Sequence, residues 1–372
     1  MRELDLPARL APAEVRRNRP RRQLGAALIG AGNVANALYL PQLRRPASPF
    51  RVVTVYDLDR AAARRAADAL DARVAESLLS AVDDDEVRAV FVCIPNWAHH
   101  EAAVTALELR RHVLCEKPLG RTADEALSLL RAAERAGVAH MVNFTYRFRP
   151  ETAAARRLIR AGILGKVYHA HGTLSQGRWF SPDGRPSDER GDATAWRFGP
   201  DGSVVLDLAS HLVDMCALLG DIDWVQAWAT TFQVDAPPAE DASGFSLGFA
   251  NGPVAHLLTS RWATGHKEHL SLEIAGSHGA IAFDRAGVRL WTRHDPVWRA
   301  VPTPAVRTFL ESFHAAISGH DADVPSFRDG AWNNLVLDAI VRSARSGVVV
   351  ALSPSRLNSL DPRANQYLTP RA

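Results

Sequence analysis

The sequence predicts an α/β protein of two domains: an N-terminal doubly wound parallel sheet, then a C-terminal α/β domain with a large, mainly antiparallel open sheet. Three observations predict it. Apolar runs and helix-forming runs alternate up to about residue 149, the pattern of parallel strands joined by right-handed helical crossovers. The first apolar run ends in glycines and opens directly into a helical pattern. From about residue 224 the texture changes to short strands with hairpin signals, such as Asn251-Gly252 between two apolar runs.

The elements follow in order. QLGAALIG at 23–30 is the first strand, and ANALYLPQL after it has helical spacing. RVVTVYD at 51–57, RAVFVCIP at 88–95, HVLCEKP at 112–118 and AHMVNFTYRF at 139–148 read as further strands. AAARRAADAL, HEAAVTALELR and TADEALSLLRAAERAG are the helices between them; Thr122 is the expected N-cap of the last, with Glu125 completing a capping box. After Pro150 come a helix (ETAAARRLIRAGILG), a strand (VYHAHGTL), a polar loop at 175–203 and an apolar helix (VVLDLASHLVDMCALLG). WVQAWATTFQ, GFSLGFA, VAHLLTSRW, LSLEIAG, GAIAFD and GVRLWT are then strands, and residues 303–318 and 329–346 return to helix. The expected domains are 23–149 and 150–372, with the C-terminal helices packing back and a flexible basic arm at 1–22.

A chain of 372 residues exceeds one compact domain. Apolar residues at 47% and charged residues at 23% are ordinary for a globular protein. The 44 basic against 41 acidic residues imply no nucleic-acid patch. No apolar stretch approaches the ~18 residues of a membrane span, so neither nucleic acid nor membrane is an expected partner. Cys93, Cys115 and Cys216 form no CxxC pair or disulfide spacing, and a reducing, cytoplasmic setting is the expectation. Arg16-Arg17 and Arg21-Arg22 precede an apolar run, as in a twin-arginine export signal. That run, LGAALIGAG, is better explained as the first strand and its glycine turn.

Gly30-Ala31-Gly32-Asn33-Val34-Ala35 matches the G-x-G-x-x-G/A fingerprint at a strand-to-helix turn, the Rossmann dinucleotide-binding position. Gly30 permits the tight turn, Gly32 lets the backbone approach a pyrophosphate, and Ala35 lets the helix pack closely on the strand. The helix N-terminus offers free N–H donors to phosphate. Asp57 ends the second strand, 22 residues beyond Ala35. An acid there accepts bonds from ribose hydroxyls and repels a 2′-phosphate, which favours NAD. Arg60 close by keeps NADP open, and an ordinary solvated acid at a strand end is the alternative reading of Asp57. Pro95, Asn96 and His99 follow another strand at the same sheet edge, although Asn96 also suits a helix cap.

Glu116-Lys117-Pro118 closes a strand at the edge where open parallel sheets bind ligands. A residue before proline is pushed to extended geometry, which aims Lys117 outward; the X-Pro bond also admits the cis form. Here the sequence resembles the glucose–fructose oxidoreductase / inositol dehydrogenase (Gfo/Idh/MocA) family. The matching segments are GAGNVA, YD at 56–57, IPNWAHH at 94–100, EKP at 116–118, VNFTYRFRP at 142–150, GSVVLDLASHLVD at 202–214 and LDAIVRSARSG. The resemblance implies a nicotinamide-dependent oxidoreductase of sugars or cyclitols. It places Lys117 at the nicotinamide, Asp207 and His211 in the active site, Pro95, Asn96, His99 and Glu116 at the cofactor, and Tyr146 and Arg147 at the substrate.

The residues support this on their own terms. Asp207, Ser210, His211 and Asp214 form one polar stripe on an otherwise apolar helix. Such a stripe faces solvent or a wet cleft. A substrate alcohol would give its hydroxyl proton to His211, held by Asp207 or Asp214, while Lys117 stabilises the developing oxyanion. Imidazole suits the base role because it titrates near neutrality, whereas lysine would need about 4 kcal/mol of destabilisation of its charged form to serve at pH 7. Trp196 and Arg197, ahead of the helix, suit a pyranose face and its hydroxyls, with Trp179 and Arg178 the weaker pair. His169 and His171 share a strand face without a third ligand at recognisable spacing, so no metal is expected. Two other readings stand beside the dehydrogenase: a redox-neutral sugar enzyme working through transient oxidation by bound NAD, and a non-catalytic NAD- or sugar-sensing regulator. Apolar residues at both parities of the later strands imply a homodimer or homotetramer.

Overall fold

The computed structural model describes residues 23–177, 202–232, 240–320, 324–353 and Leu357. The basic arm and the Trp179, Trp196 and Arg197 expectations lie outside the described residues. The chain forms two compact units, the first from residues 23–143 with Phe309–Leu335, the second from Phe144–Thr308 with Val336–Leu352.

The first unit is built on six parallel strands: β1 (Leu24–Ile29), β2 (Phe50–Tyr56), β3 (Arg73–Val74), β4 (Ala89–Val92), β5 (His112–Glu116) and β6 (His140–Asn143). Their order, β3-β2-β1-β4-β5-β6, is that of a Rossmann sheet, and it puts the switch of strand order between β1 and β4. β4 is buried along its whole length, as a strand covered on both faces must be, which is why AVFV shows no polar alternation. Helix α1 (Leu40–Leu43) follows a π turn over Ala35–Tyr39. Helices α2 (Arg60–Leu70), α3 (Leu78–Val82), α4 (His99–Glu108) and α5 (Ala123–Ala136) make the remaining crossovers.

Local chemistry sets the helix ends. Asp59 caps α2 by accepting from the amides of Ala61 and Ala62 at 2.9 and 3.1 Å. Thr122 caps α5 by accepting from the Glu125 amide at 3.2 Å. The expected capping box is only half formed. The Glu125 carboxylate accepts from the Arg121 amide at 2.8 Å and from its guanidinium at 2.7 Å, and this paired contact with a cation replaces the single bond to the Thr122 amide.

The C-terminal helices α8 (Phe309–Ile317) and the first part of α9 (Phe327–Ser346) complete this unit. Phe313 stacks on Phe50 with ring centres 6.0 Å apart, and Phe309 meets Tyr39 edge-on at 4.9 Å. Gly330 lies so close to the sheet that a Cβ would come within 2.6 Å of Val142 and 2.9 Å of Leu119. Asn334 donates to the Gly120 carbonyl at 2.7 Å.

The second unit carries a nine-stranded sheet. Its strands are β7 (Val167–Ser175), β8 (Ile222–Thr230), β9 (Ala242–Phe249), β10 (Val254–Ser260), β11 (His269–Gly276), β12 (Gly279–Asp284), β13 (Gly287–Thr292), β14 (Arg299–Val301) and β15 (Val350–Ala351). The order is β14-β13-β12-β11-β7-β10-β9-β8-β15. All neighbours are antiparallel except β7 and β10. Helices α6 (Pro150–Arg160) and α7 (Ser210–Cys216) pack on one face, burying Ala170, Leu174, Leu257, Leu272 and Ile274. Residues of the other parity leave that face, and Gln226, Ser246, His256, His171 and Glu273 stand in register across it. Trp224 and Trp228 lie over Gly248 and Gly244 of the next strand, where a Cβ would collide with the indoles. Among the described residues no helix is long and apolar enough to cross a membrane, and no group of His, Cys, Asp or Glu is arranged to hold a metal.

Because Phe313 is completely buried against Phe50 and Phe91, Phe313→Ala is expected to cost about 3–5 kcal/mol. Urea denaturation followed by circular dichroism measures it.

Candidate active site

The glycine turn of the first unit is constrained from several sides. Gly30 has φ 97°, and a Cβ there would come within 2.5 Å of the Cys93 carbonyl oxygen. Its amide donates to the Tyr56 carbonyl at 2.7 Å. The next amide, Ala31, donates to Asp57 Oδ2 at 2.7 Å, and Asp57 Oδ1 accepts from the Asp59 amide at 2.8 Å. Asn36 closes the turn from the helix side by donating to the carbonyls of Ala31 and Gly32 at 2.7 and 2.8 Å. Asn33 and Val34 begin the helix, and Ala35 is fully buried in the π turn.

These residues fit a dinucleotide. A Cβ on Gly32 would meet no protein atom within 4 Å, so the backbone there is open to a ligand. Asn33 Nδ2 and Asn96 Oδ1 are buried without a hydrogen bond to any described residue, and buried polar atoms in native proteins have partners. Arg60 is already engaged: it donates to the Ala75 carbonyl at 2.6 Å and pairs with Glu76 at 3.2 Å.

Lys117 follows the last residue of β5, and the Lys117–Pro118 peptide is cis. Glu116 turns into the interior, accepting from Tyr39 Oη at 2.9 Å and Asn143 Nδ2 at 2.6 Å. Burial raises the Glu116 pKa, with the Asn143 and Tyr39 bonds and the Lys117 charge opposing it. His99 is buried with its Nδ1 2.9 Å from the Pro118 carbonyl and its Nε2 2.9 Å from the Ile94 carbonyl. Burial lowers its pKa, and the two carbonyls oppose that shift. The ring thereby ties the turn at Pro95 to the turn beside Lys117. Asn96 caps neither the 3₁₀ turn Asn96–Ala98 nor α4, so the capping alternative falls away.

In the second unit, a π turn over Val205–Ala209 runs into α7. Asp207, Ser210, His211 and Asp214 are all buried, which removes the solvent-facing alternative for the stripe. Fewer turns per residue in a π segment also bring positions four apart closer to one face. The two carboxylates take different partners. Asp214 accepts from Arg147 Nε at 2.8 Å and Nη2 at 2.5 Å, and Asp207 Oδ2 lies 3.6 Å from Arg261 Nη2. Tyr146 presents its ring edge-on to His211, centres 4.5 Å apart, and donates its hydroxyl to Glu268 at 2.6 Å. Burial and the Glu268 charge push that phenol well above its ordinary pKa, so it acts as a donor. Arg149 lies 4.0 Å over the Tyr146 ring.

Sequence reasoning missed Tyr39, Asn143, Arg261 and Glu268. The Asn143 signal was available, since it sits at the same strand-end level as Glu116 in the segment VNFTYRFRP. Arg261 and Glu268 carry no local signal.

A glycine turn open to a ligand, an acid at the next strand end and a lysine at the sheet edge define the dinucleotide-binding half of an oxidoreductase. Residues 24–144 match the oxidoreductase family with an NAD-binding Rossmann fold, and residues 152–282 match the GFO/IDH/MocA C-terminal domain. The chain belongs to the Gfo/Idh/MocA family of oxidoreductases. It is 31% identical to a levoglucosan dehydrogenase of Pseudarthrobacter phenanthrenivorans over 71% of this chain and 80% of that one. It is 33% identical to an inositol 2-dehydrogenase of Saccharopolyspora erythraea over 87% and 92% of the two chains. A solved levoglucosan dehydrogenase in complex with NADH and levoglucosan superimposes with a TM-score of 0.77 at 27% identity, covering 89% of this chain and 99% of the other.

The two glycines of the turn should respond differently to alanine. Gly32→Ala is expected to fold with wild-type stability and lose about tenfold or more in NAD affinity, roughly 1.4 kcal/mol. Gly30→Ala is expected to lose at least about 1–3 kcal/mol of stability through strain at positive φ. Thermal melts and a fluorescence titration with NADH separate the two effects.

Proposed function

We propose that this protein is an NAD-dependent dehydrogenase and ketoreductase acting on a secondary alcohol, or its ketone, of a sugar, amino sugar or cyclitol. The observation that carries the reading is Lys117 at the end of β5, braced through Pro118 by His99 and through Glu116 by Tyr39 and Asn143. The relatives named for levoglucosan, xylose and inositol support the substrate class.

In this proposal the first unit binds the cofactor and the second the substrate. Gly30, Gly32, Asn33, Val34, Ala35, Pro95 and Asn96 hold the dinucleotide, and Asp57 takes the ribose. NAD is favoured over NADP because Asp57 would repel a 2′-phosphate, while Arg60 is occupied by Ala75 and Glu76. When bound, NAD⁺ supplies the hydride acceptor. His211 accepts the proton of the substrate hydroxyl. Lys117 stabilises the oxygen as it gains negative charge. Tyr146 and Arg147 border the sugar, the latter fixed by Asp214. The buried free thiols Cys93, Cys115 and Cys216 favour a reducing cytoplasm.

We also propose that the open face of the nine-stranded sheet pairs with a second copy in a homodimer or homotetramer. Trp228 and Leu258, on that face, are 52% and 41% exposed, a cost that a like surface would remove. Leu258→Glu is expected to shift the protein to monomer in sedimentation velocity at micromolar concentration. A monomeric wild type would refute the pairing.

The dehydrogenase reading is tested by NADH formation from NAD with a panel of inositols, pyranoses, anhydrosugars and amino sugars. Activity with one class, abolished in Lys117→Ala while NAD still binds, is the expected result. Turnover retained in Lys117→Met would sink the scheme.

A further inference from the structure

Arg261 follows the last residue of β10, and its amide donates to the Asp241 carbonyl at 2.9 Å. Its side chain is among the largest fully buried in the molecule, 1% exposed. A guanidinium does not give up its proton in a protein, so this position carries a full positive charge in the interior. Charge there is tolerated only beside an anion, and Asp207 Oδ2 stands 3.6 Å from Arg261 Nη2.

We infer that Arg261 is a positioning residue that holds Asp207 ionised and cancels its charge, so that His211 stays neutral and ready to take the substrate proton. The base role of His211 rests on the dehydrogenase reading above; the electrostatic arrangement does not. Asp207 and His211 lie four residues apart on one helix stripe. A lone buried carboxylate at that spacing would favour the imidazolium, which has no lone pair for a proton. Arg261 removes that bias.

Among the described residues, the other charged and titratable groups near His211 follow the same arrangement. Asp214, on the same stripe, is engaged by Arg147. Tyr146 meets the imidazole edge-on, and its partner Glu268 lies 3.6 Å from Arg149 and 3.7 Å from Arg285. Among the described residues each of these three carboxylates therefore has at least one guanidinium beside it, drawn from different elements of the second unit.

The test follows the titration midpoint of His211 by NMR of the full-length protein with ¹³C-labelled imidazoles, assigned by loss of its signal in His211→Gln. Arg261→Met is expected to raise the midpoint by about one pH unit. The acidic limb of kcat/KM for alcohol oxidation should move with it, a roughly tenfold loss at a fixed pH below the limb. Arg261→Lys, which keeps the charge, should restore the wild-type midpoint, and the double variant Asp207→Asn/Arg261→Met should lie close to it. Should Arg261→Met fail to fold, Asp207→Asn alone is expected to titrate lower than the double variant, because it keeps the Arg261 charge and removes the carboxylate. A midpoint unmoved in Arg261→Met, or equal in Asp207→Asn and the double variant, overturns the inference. The NMR measurement needs no turnover. A silent substrate panel with the midpoints shifted as described would therefore reject the dehydrogenase reading and leave this assignment standing.

Discussion

The first strand of the parallel sheet can leave the sheet at Gly30 only as glycine, because the Cys93 carbonyl stands where any side chain would have to go. β1 lies between β2 and β4, and at such a switch of strand order the connections diverge and leave a crevice at the strand ends. The close approach at Gly30 leaves room for no residue but glycine, which also accepts the positive φ of the turn. Asp57 then has two consequences. Its carboxylate holds the Ala31 amide and so fixes the turn, while its charge sits at the mouth of the site. The glycine turn is thus a product of close main-chain packing, and Asp57, the acid proposed to select NAD, also helps to build it.

The units treat buried carboxylates in opposite ways. Glu116 is surrounded by neutral donors, Tyr39 and Asn143, so burial is offset only in part and its pKa rises. Its remaining electrostatic coupling is to Lys117, which favours the ionised form. Asp214 and Asp207 instead face guanidinium groups, which hold their charge whatever the solvent pH near neutrality. A carboxylate among neutral donors responds to nearby charge; one paired with arginine is a fixed point. The lysine edge has the first kind and the histidine stripe the second.

Much of this was legible in the sequence wherever the determinant is local. The need for glycine at position 30, the acid at 57 and the four-residue polar stripe follow from spacing alone. What spacing could not decide was the choice between partners. Thr122 caps α5 as expected, yet Glu125 prefers Arg121 because a neighbouring guanidinium competes with the backbone amide. Arg60 is near Asp57 in sequence but is drawn off by Ala75 and Glu76. Spacing made Asp207 and Asp214 equivalent candidates to hold His211, and tertiary contacts give Asp214 to Arg147 and set Asp207 beside Arg261. Arg261 was invisible, being one charged residue after a strand whose partner is remote along the chain. The π turns at Ala35–Tyr39 and Val205–Ala209 also left no mark, since residue preferences describe the ordinary α turn.

The return of Phe309–Leu335 to the first unit bears on how the chain is made. Phe50, Phe91 and Tyr39 are synthesised early, but Phe309 and Phe313, which cover them, emerge only after nearly all of the second unit. During translation the nascent parallel sheet must therefore wait with an aromatic face bare, and exposed apolar surface of that kind is what chaperones bind and what drives aggregation. A ribosome that stalls before residue 309 would release a first domain lacking part of its own core.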